Sequence, residues 1–548
     1  MERIVQEKEI KKVMKKKRTL NAVVACVAGL LLLGGCNLDR APLDYMRYEQ
    51  SYLTLEDATK WDNGVYSTLR GKFGGGYVLP QEVQADMLNA HASFGGLYGS
   101  FHKWDVKSED EVIKQVYHSY YAALVDVNVV IESAPKLNVN PQDKHKIDVY
   151  LGNAYLARAF YHFSLAMRWG MPYKEETAEQ DLSIPLRTTP FSVDKEGRAS
   201  NRAAYKLILD DLEKAEKLLA SVPCAEGSDE LTSDVAIALR ARVYLYMNKM
   251  PEALIEAKKL IDNGKYPLIA PITGEHKDAE GENNPFIQMW HHDSGKEQIW
   301  QPFVDKQNEV ATTINLYGAD LETWKYWQSK DPNDHRNFNK PSYLPSGTVV
   351  YDLFTNGDRR VPAYFEWVYS TVTDKNAPEL LCVISKFKGN PKYRTLDNPQ
   401  WGGYVPNGIC SPKPFRIAEQ YLIAAEAAYE VGDMEVAKTM LNDLRASRGL
   451  AAVAEEGELL QKAIRDERSR ELAFEGFRLW DLSRWGLPIK QRERQGLRKE
   501  HRVPSSFFAD GFDLGEGIEP HHKKFIWGFP KDEVNQINKL VKQNEGWE

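Results

Sequence analysis

Cysteine is scarce in this chain. The five residues Cys26, Cys36, Cys224, Cys382 and Cys410 are spread over 548 positions, and no two stand at a CxxC spacing. A thiolate zinc site is therefore unsupported, while one disulfide with an odd thiol left over stays open. Charge of one sign is missing too. Lys and Arg number 71 against 78 Asp and Glu, for a net charge of -7. Such a balance carries no general field for polyanions and argues against nucleic acid as a partner. There is no GxSxG, Walker or dinucleotide motif. Gly74-Gly75-Gly76 lacks the strand-then-helix setting of a phosphate cradle and reads as a flexible loop. With 43% hydrophobic and 27% charged residues, global disorder is excluded. The length suits one large helical body or two intermixed parts.

Long apolar runs are also rare, and the single one is informative. Lys15-Lys16-Lys17-Arg18 is followed by Ala22 to Leu33, uncharged and almost wholly apolar. A bilayer-spanning helix needs about 20 such residues, so this run fits the core of a signal peptide better than a permanent span. It ends in Leu33-Gly34-Gly35-Cys36. Small residues before a cysteine give a signal peptidase access to the backbone, and the thiol can accept a diacylglyceryl group, as in a bacterial lipobox. Residues 1–35 are expected to be a signal peptide, with Met14 an alternative start, and 36–49 a lipidated polar tether.

Beyond the tether, helical periodicity dominates 110–134, 143–170, 201–221, 232–262, 414–447 and 460–485. Residues 265–412 are richer in Pro, Gly, Asn and Trp. They read as long loops with a few short strands or helices, and excursions of that length usually carry function. Ala157-Arg158-Ala159-Phe160-Tyr161 resembles Ala241-Arg242-Val243-Tyr244-Leu245. Ala241, Met250, Ala253 and Leu260 align with Ala425, Met434, Ala437 and Leu444. Ala238 to Ile261 reads as helix, a short turn at Asn248-Lys249-Met250-Pro251, then helix. Small residues at Ala241, Ala253 and Ala257 permit close approach, the tetratricopeptide pattern. The expected fold is mainly α: a tetratricopeptide-like helical-hairpin scaffold with long irregular loop excursions and little β. The expected division is 50–264 and 265–548.

Several stretches then resemble one family. Ile417 to Tyr429 opens a helix, and Leu441-Asn442-Asp443-Leu444-Arg445 closes its partner. The segment from Ile464 to Gly486, with Arg465-Asp466-Glu467-Arg468 and Phe477-Arg478-Leu479-Trp480-Asp481, is similar to the identifying motif of the SusD/RagB family of nutrient-uptake lipoproteins. Tyr351-Asp352-Leu353-Phe354 with Asp358-Arg359-Arg360 resembles another family element. Pro530, Glu533, Leu540 and Gln543-Asn544-Glu545-Gly546-Trp547 resemble its terminal signature, where Gly528-Phe529 replaces the usual Pro-Ile. The resemblance implies an outer-membrane lipoprotein, anchored through Cys36 and exposed at the cell surface. It implies binding of an oligosaccharide or peptide and its delivery to a SusC-like TonB-dependent transporter, without catalysis and without a cofactor.

The residues themselves offer little other chemistry. Spacings of three put Glu467 with Arg470, Glu475 with Arg478, and Asp481 with both Arg478 and Arg484 on shared helical faces. Glu471 and Glu475 could be read as a glycosidase acid and base, but carboxylates alternating with Arg read better as a structural ion-pair network. His291-His292-Asp293, His521-His522 and Asp331-Pro332-Asn333-Asp334 lack chelating spacing, so no metal is expected. Sugars are gripped by flat rings and by polar groups on loops. Two loop regions mix these, giving Asp86, Asn89 and Tyr98 in one and Trp290, Trp324, Tyr326 and Trp327 in the other as candidate ligand residues. Two competing functions remain: a surface glycoside hydrolase, and a tetratricopeptide scaffold that binds only protein.

Overall fold

The computed structural model of the chain describes residues 51–92, 94–191, 195–271, 283–304, 341–355, 357–370, 379–393, 408–498, 501–510 and 514–547. The expected signal peptide, Cys36, Trp324, Tyr326 and Trp327 lie outside them. Helices dominate: α1 (Leu55–Gly71), α2 (Leu79–Gln84), α3 (Gly99–His102), α4 (Glu111–Ser133), α5 (Pro141–Trp169), α6 (Asn201–Leu218), α7 (Ser233–Tyr246) and α8 (Met250–Asp262) come first. After them come α9 (Pro285–His291), α10 (Val361–Tyr364), α11 (Ile417–Glu430), α12 (Met434–Ser447), α13 (Gly457–Glu471) and α14 (Arg478–Arg484). All belong to one compact unit, Thr54–Glu548.

The helical hairpins form where the pattern of small residues places them. α7 and α8 are joined through Asn248, which takes the left-handed conformation (φ 58°) that lets the chain reverse. α11 and α12 reverse at Gly432 (φ 87°), after which the Asp433 side chain accepts from the Val436 N–H at 3.2 Å and caps α12. Ala241, Ala253, Ala257, Ala424, Ala425, Ala428 and Ala437 are all fully buried in one shared cluster. With only methyl groups at the crossings, the two hairpins approach closely, and Leu, Met and Ile side chains fill the remaining space. α5 and α6 are locked by a buried pair: Arg158 donates to both oxygens of Asp211 at 2.7 and 2.8 Å.

Strands are short and paired two by two, always antiparallel. β1 (Leu88–Ala90) pairs with β3 (Tyr343–Pro345), and β2 (Gln298–Trp300) with β6 (Phe415–Arg416). β4 (Phe365–Ser370) pairs with β5 (Glu379–Ile384), and β7 (Leu497–Arg498) with β8 (His501–Arg502). β4 and β5 run in register from Phe365 opposite Ile384 to Ser370 opposite Glu379.

One expectation needs correction. The periodicity over 460–485 predicts a single helix, whereas α13 ends at Glu471 and α14 begins at Arg478. Phe474 (φ 66°) and Gly476 (φ 88°) turn the chain between them. The turn is held from outside. Lys386 donates to the Ala473 carbonyl at 2.9 Å, and the Gly476 N–H donates to Glu82 at 2.6 Å. The spacing-of-three pairs change accordingly: Glu467–Arg470 and Asp481–Arg484 form, but Arg478 reaches Asp86 instead of Glu475 or Asp481. Cys224, Cys382 and Cys410 are all free thiols.

Candidate functional site

A cavity of about 440 Å³ opens where the end of α1, the turn that follows it, α9, residues 408–414 and the 474–477 turn meet. Each wall has a local cause. α9 begins at Asn284, whose side chain accepts from the Phe286 N–H at 2.8 Å, and it carries Trp290 one turn later onto the cavity. Gly74–Gly76 form a tight turn with Gly75 in the left-handed region (φ 54°), so Phe73 and Tyr77 flank a bare stretch of backbone. Among the described residues, nothing accepts a hydrogen bond from the N–H groups of Gly74, Gly75 or Gly76. Phe387, Phe474 and Phe477 complete an aromatic lining.

The polar groups behind this lining are almost all engaged. Lys386 is fully buried, 4.2 Å from the Trp290 ring and 4.0 Å from that of Tyr364, and donates to Glu475 at 2.7 Å. Burial pulls its ammonium down to about 8 against the attraction of Glu475. Arg416 takes the other oxygen of Glu475 at 2.6 Å. Lys413 pairs with Asp293 at 2.9 Å, and Arg242 holds Glu419 through two bonds of 2.7 and 2.6 Å while lying 4.5 Å from the Phe415 ring. The exceptions are the Trp290 Nε1 and the Arg416 Nε, both buried and without a hydrogen-bond partner among the described residues.

Deeper lies the ion-pair network expected of the 464–486 motif. Glu471 accepts from Arg360 at 2.9 Å, from Arg448 at 2.9 Å and from Arg416 at 3.0 Å, all in the core. Burial opposes ionisation there, yet the three guanidiniums hold the Glu471 carboxyl well below the usual range. Glu475, the only carboxylate on the cavity lining among the described residues, is shared by Lys386 and Arg416. An acid catalyst must hold a proton near neutral pH. Glu471 is instead held by three guanidiniums and Glu475 by Lys386 and Arg416, the arrangement of an ion-pair network. The cavity offers rings to stack on and N–H groups to donate, which is the equipment of binding.

The matches with known proteins agree with this layout. Residues 296–547 match the model of the SusD family, and residues 49–245 match a SusD-like model described as starch-binding, associating with the outer membrane. The chain belongs to the SusD/RagB family. A SusD-like protein of Formosa agariphila is 24% identical over 519 residues, covering 86% of this chain and 92% of the relative. A SusD superfamily structure from Bacteroides thetaiotaomicron superposes with a TM-score of 0.70 at 20% identity, over 90% of this chain and 100% of that one. A structure from Bacteroides vulgatus described as a SusD-like carbohydrate binding protein gives 0.66 at 17% identity, over 89% and 98%. The SusD fold, with its tetratricopeptide-like hairpins, is thereby shared.

Of the residues that the sequence nominates for ligand contact in this SusD-family chain, Trp290 lies on the cavity and three described others do not. Asp86 is bound by Arg478 at 2.8 and 3.0 Å. Burial opposes its charge, but Arg478 keeps its carboxyl below the ordinary value. Asn89 is buried on β1 and donates to the Glu493 carbonyl at 2.7 Å. Tyr98 is half-buried in a left-handed turn (φ 53°), with its ring 6.5 Å from Phe101. Sequence reasoning passed over Phe73-Gly-Gly-Gly-Tyr77, Phe387 and Lys413. An aromatic at each end of a glycine run was the available signal for the first. Phe387 and Lys413 carried none, because folding alone brings them beside Trp290.

Proposed function

We propose that this SusD-family chain is a surface lipoprotein that binds oligosaccharide and passes it to a TonB-dependent outer-membrane transporter, anchored through lipid on Cys36. The observation that carries the reading is the aromatic cavity around Trp290, with N–H groups on the Gly74–Gly76 turn that have no acceptor among the described residues. Rings accept the C–H faces of a sugar, and N–H groups donate to its oxygens. The carbohydrate binding printed for a structural relative, and the outer-membrane association printed for a matching family model, point the same way. Trp324, Tyr326 and Trp327 are proposed as further ligand contacts on the same sequence grounds as before.

Calorimetric titration against a panel of oligosaccharides tests this reading, with chromatography of the mixtures afterwards. Saturable binding of a glycan recovered intact is expected. Shortened products would favour the hydrolase instead, and a protein that binds no saccharide at all would favour a protein-only scaffold.

A further inference from the structure

A second cavity, of about 370 Å³, shares no lining residue with the first. Tyr364 stands 5.8 Å from Trp290 of the first cavity and 5.9 Å from Phe354 of the second, centroid to centroid. The floor of this second cavity is apolar: Phe354, Phe365, Val361 and Pro362 line it, with Phe354 and Phe365 themselves packed at 4.9 Å. On β4 its rim carries Trp367, 42% exposed although large and apolar.

Among the described residues that line this cavity, the charge without an ion-pair partner is Arg359. Its backbone is pinned at both ends: its N–H donates to the Arg448 carbonyl at 3.0 Å, and its own carbonyl accepts from Asn284 at 3.0 Å. Its stem runs closely over Gly449, where any side chain would collide with the Arg359 Cγ. Its guanidinium, half-buried, has no carboxylate, carbonyl or ring partner among the described residues. The adjacent Asp358 cannot serve, because Arg360 occupies both its oxygens at 2.9 and 2.7 Å. A cation that is partly withdrawn from water, rigidly mounted and without a counter-ion favours an anionic acceptor, most of all one that takes two parallel N–H bonds.

We infer that this cavity is a second binding site, and that it takes an acidic sugar whose ring lies against Trp367 and whose carboxylate or sulfate ester is held by Arg359. The choice of a sugar rests on the glycan-binding reading of the chain; the choice of an anion rests on Arg359 alone. Two separate sites would let one charged polysaccharide engage the protein twice, raising its avidity without strengthening either contact.

Calorimetry and tryptophan fluorescence test the inference with matched probes: oligogalacturonate against its methyl-esterified form, and sulfated carrageenan oligosaccharides against the same chains desulfated. Binding of at least one acidic form is expected to exceed that of its neutral partner, and to weaken with added salt. Whichever acidic form binds identifies the anion as carboxylate or sulfate. Arg359→Ala and Trp367→Ala are each expected to lower that affinity about tenfold or more, the loss of one charge-assisted contact or one stacked ring, and Arg359→Lys to restore part of it. Neither variant should alter the melting temperature or the binding of neutral glycans. Equal affinity for acidic and neutral forms, or acidic binding untouched by both alanine variants, overturns the inference. Neutral glycans that bind while no acidic one does overturn it and leave the proposed function standing. If no glycan of either class binds, both fall.

Discussion

Trp290 sits among an unusual number of cations. Lys386, Arg416 and Lys413 lie 4.2, 5.0 and 5.1 Å from its ring, and its Nε1 has nothing to donate to. Cations facing an indole polarise it and fix its orientation, so the ring is held ready at the cavity wall. Trp290→Phe keeps an aromatic ring and breaks no internal hydrogen bond. It is expected to cost only about 1–2 kcal/mol of stability from the smaller volume, while glycan affinity measured by calorimetry falls several-fold. A loss of stability with unchanged affinity would assign Trp290 to the core alone. A second residue-scale expectation concerns Glu82, fully buried, with one oxygen bonded to the Gly476 N–H and the other without a partner. Burial, against that hydrogen bond, pushes its carboxyl up to about 7 from 4.5. Between those values the folded chain holds a proton that the unfolded chain has released, so Glu82 lowers stability as pH rises through this window. Burial raises Asp62 to about 6 and Glu533 to about 7 in the same sense. The buried His102, His162 and His291, held down by burial, act in the opposite sense, so the readout is a difference: Glu82→Gln should gain stability over the parent between pH 5 and pH 8, by on the order of 3 kcal/mol at the alkaline end. A Glu82→Gln profile parallel to that of the parent would disprove it.

At the scale of elements, the junction of α13 and α14 concentrates the energetics. Glu471 is the last residue of α13 and the meeting point of Arg360, Arg416 and Arg448, which arrive from residues far apart in sequence. Removing one member of a buried ionic cluster leaves the others uncompensated, at about 3–5 kcal/mol. Glu471→Gln is expected to lower stability by that amount in chemical denaturation, and a surface change such as Glu458→Gln by almost nothing. The sequence made the ion-pair character of this motif legible, because carboxylates and arginines alternate at helical spacing. It did not show the break. Phe474 has no intrinsic reason to leave the helix; Lys386 and Glu82, 87 and 394 residues away from their partners, pull the backbone out of it. The α7–α8 and α11–α12 hairpins were legible for the converse reason, since alanines at the crossings and a turn residue between them are local signals.

For the whole molecule, the fold was readable from motifs that cover the chain nearly end to end, whereas the cavity was not. Its walls come from α1, α9, the 408–414 segment and the 474–477 turn, and only tertiary packing brings them together. Aromatic loops could be nominated from sequence, but Asp86 and Asn89 turned out to be held by Arg478 and the Glu493 carbonyl. Two expectations belong to the assembly. Cys36→Ala should abolish palmitate labelling and release the protein from the outer-membrane fraction; labelling that persists would place the lipid elsewhere. Gentle solubilisation of the membrane should recover the protein with a large β-barrel transporter, and repeated purification of the protein alone would count against that partnership.

The closing segment of the chain has a consequence for the timing of folding. Trp527 is bonded through its N–H to the Arg168 carbonyl at 2.6 Å and through its Nε1 to Gln84 at 3.0 Å. Asn544 reaches the carbonyl of Trp169 at 2.9 Å, and Trp547 covers Gly528 so closely that any side chain there would strike its ring. The first helices thus cannot finish packing until residues made hundreds of positions later have emerged. Contacts of such long sequence separation slow folding. A nascent chain of this design stays open until its closing segment has been made, which is what the export proposed for it would require.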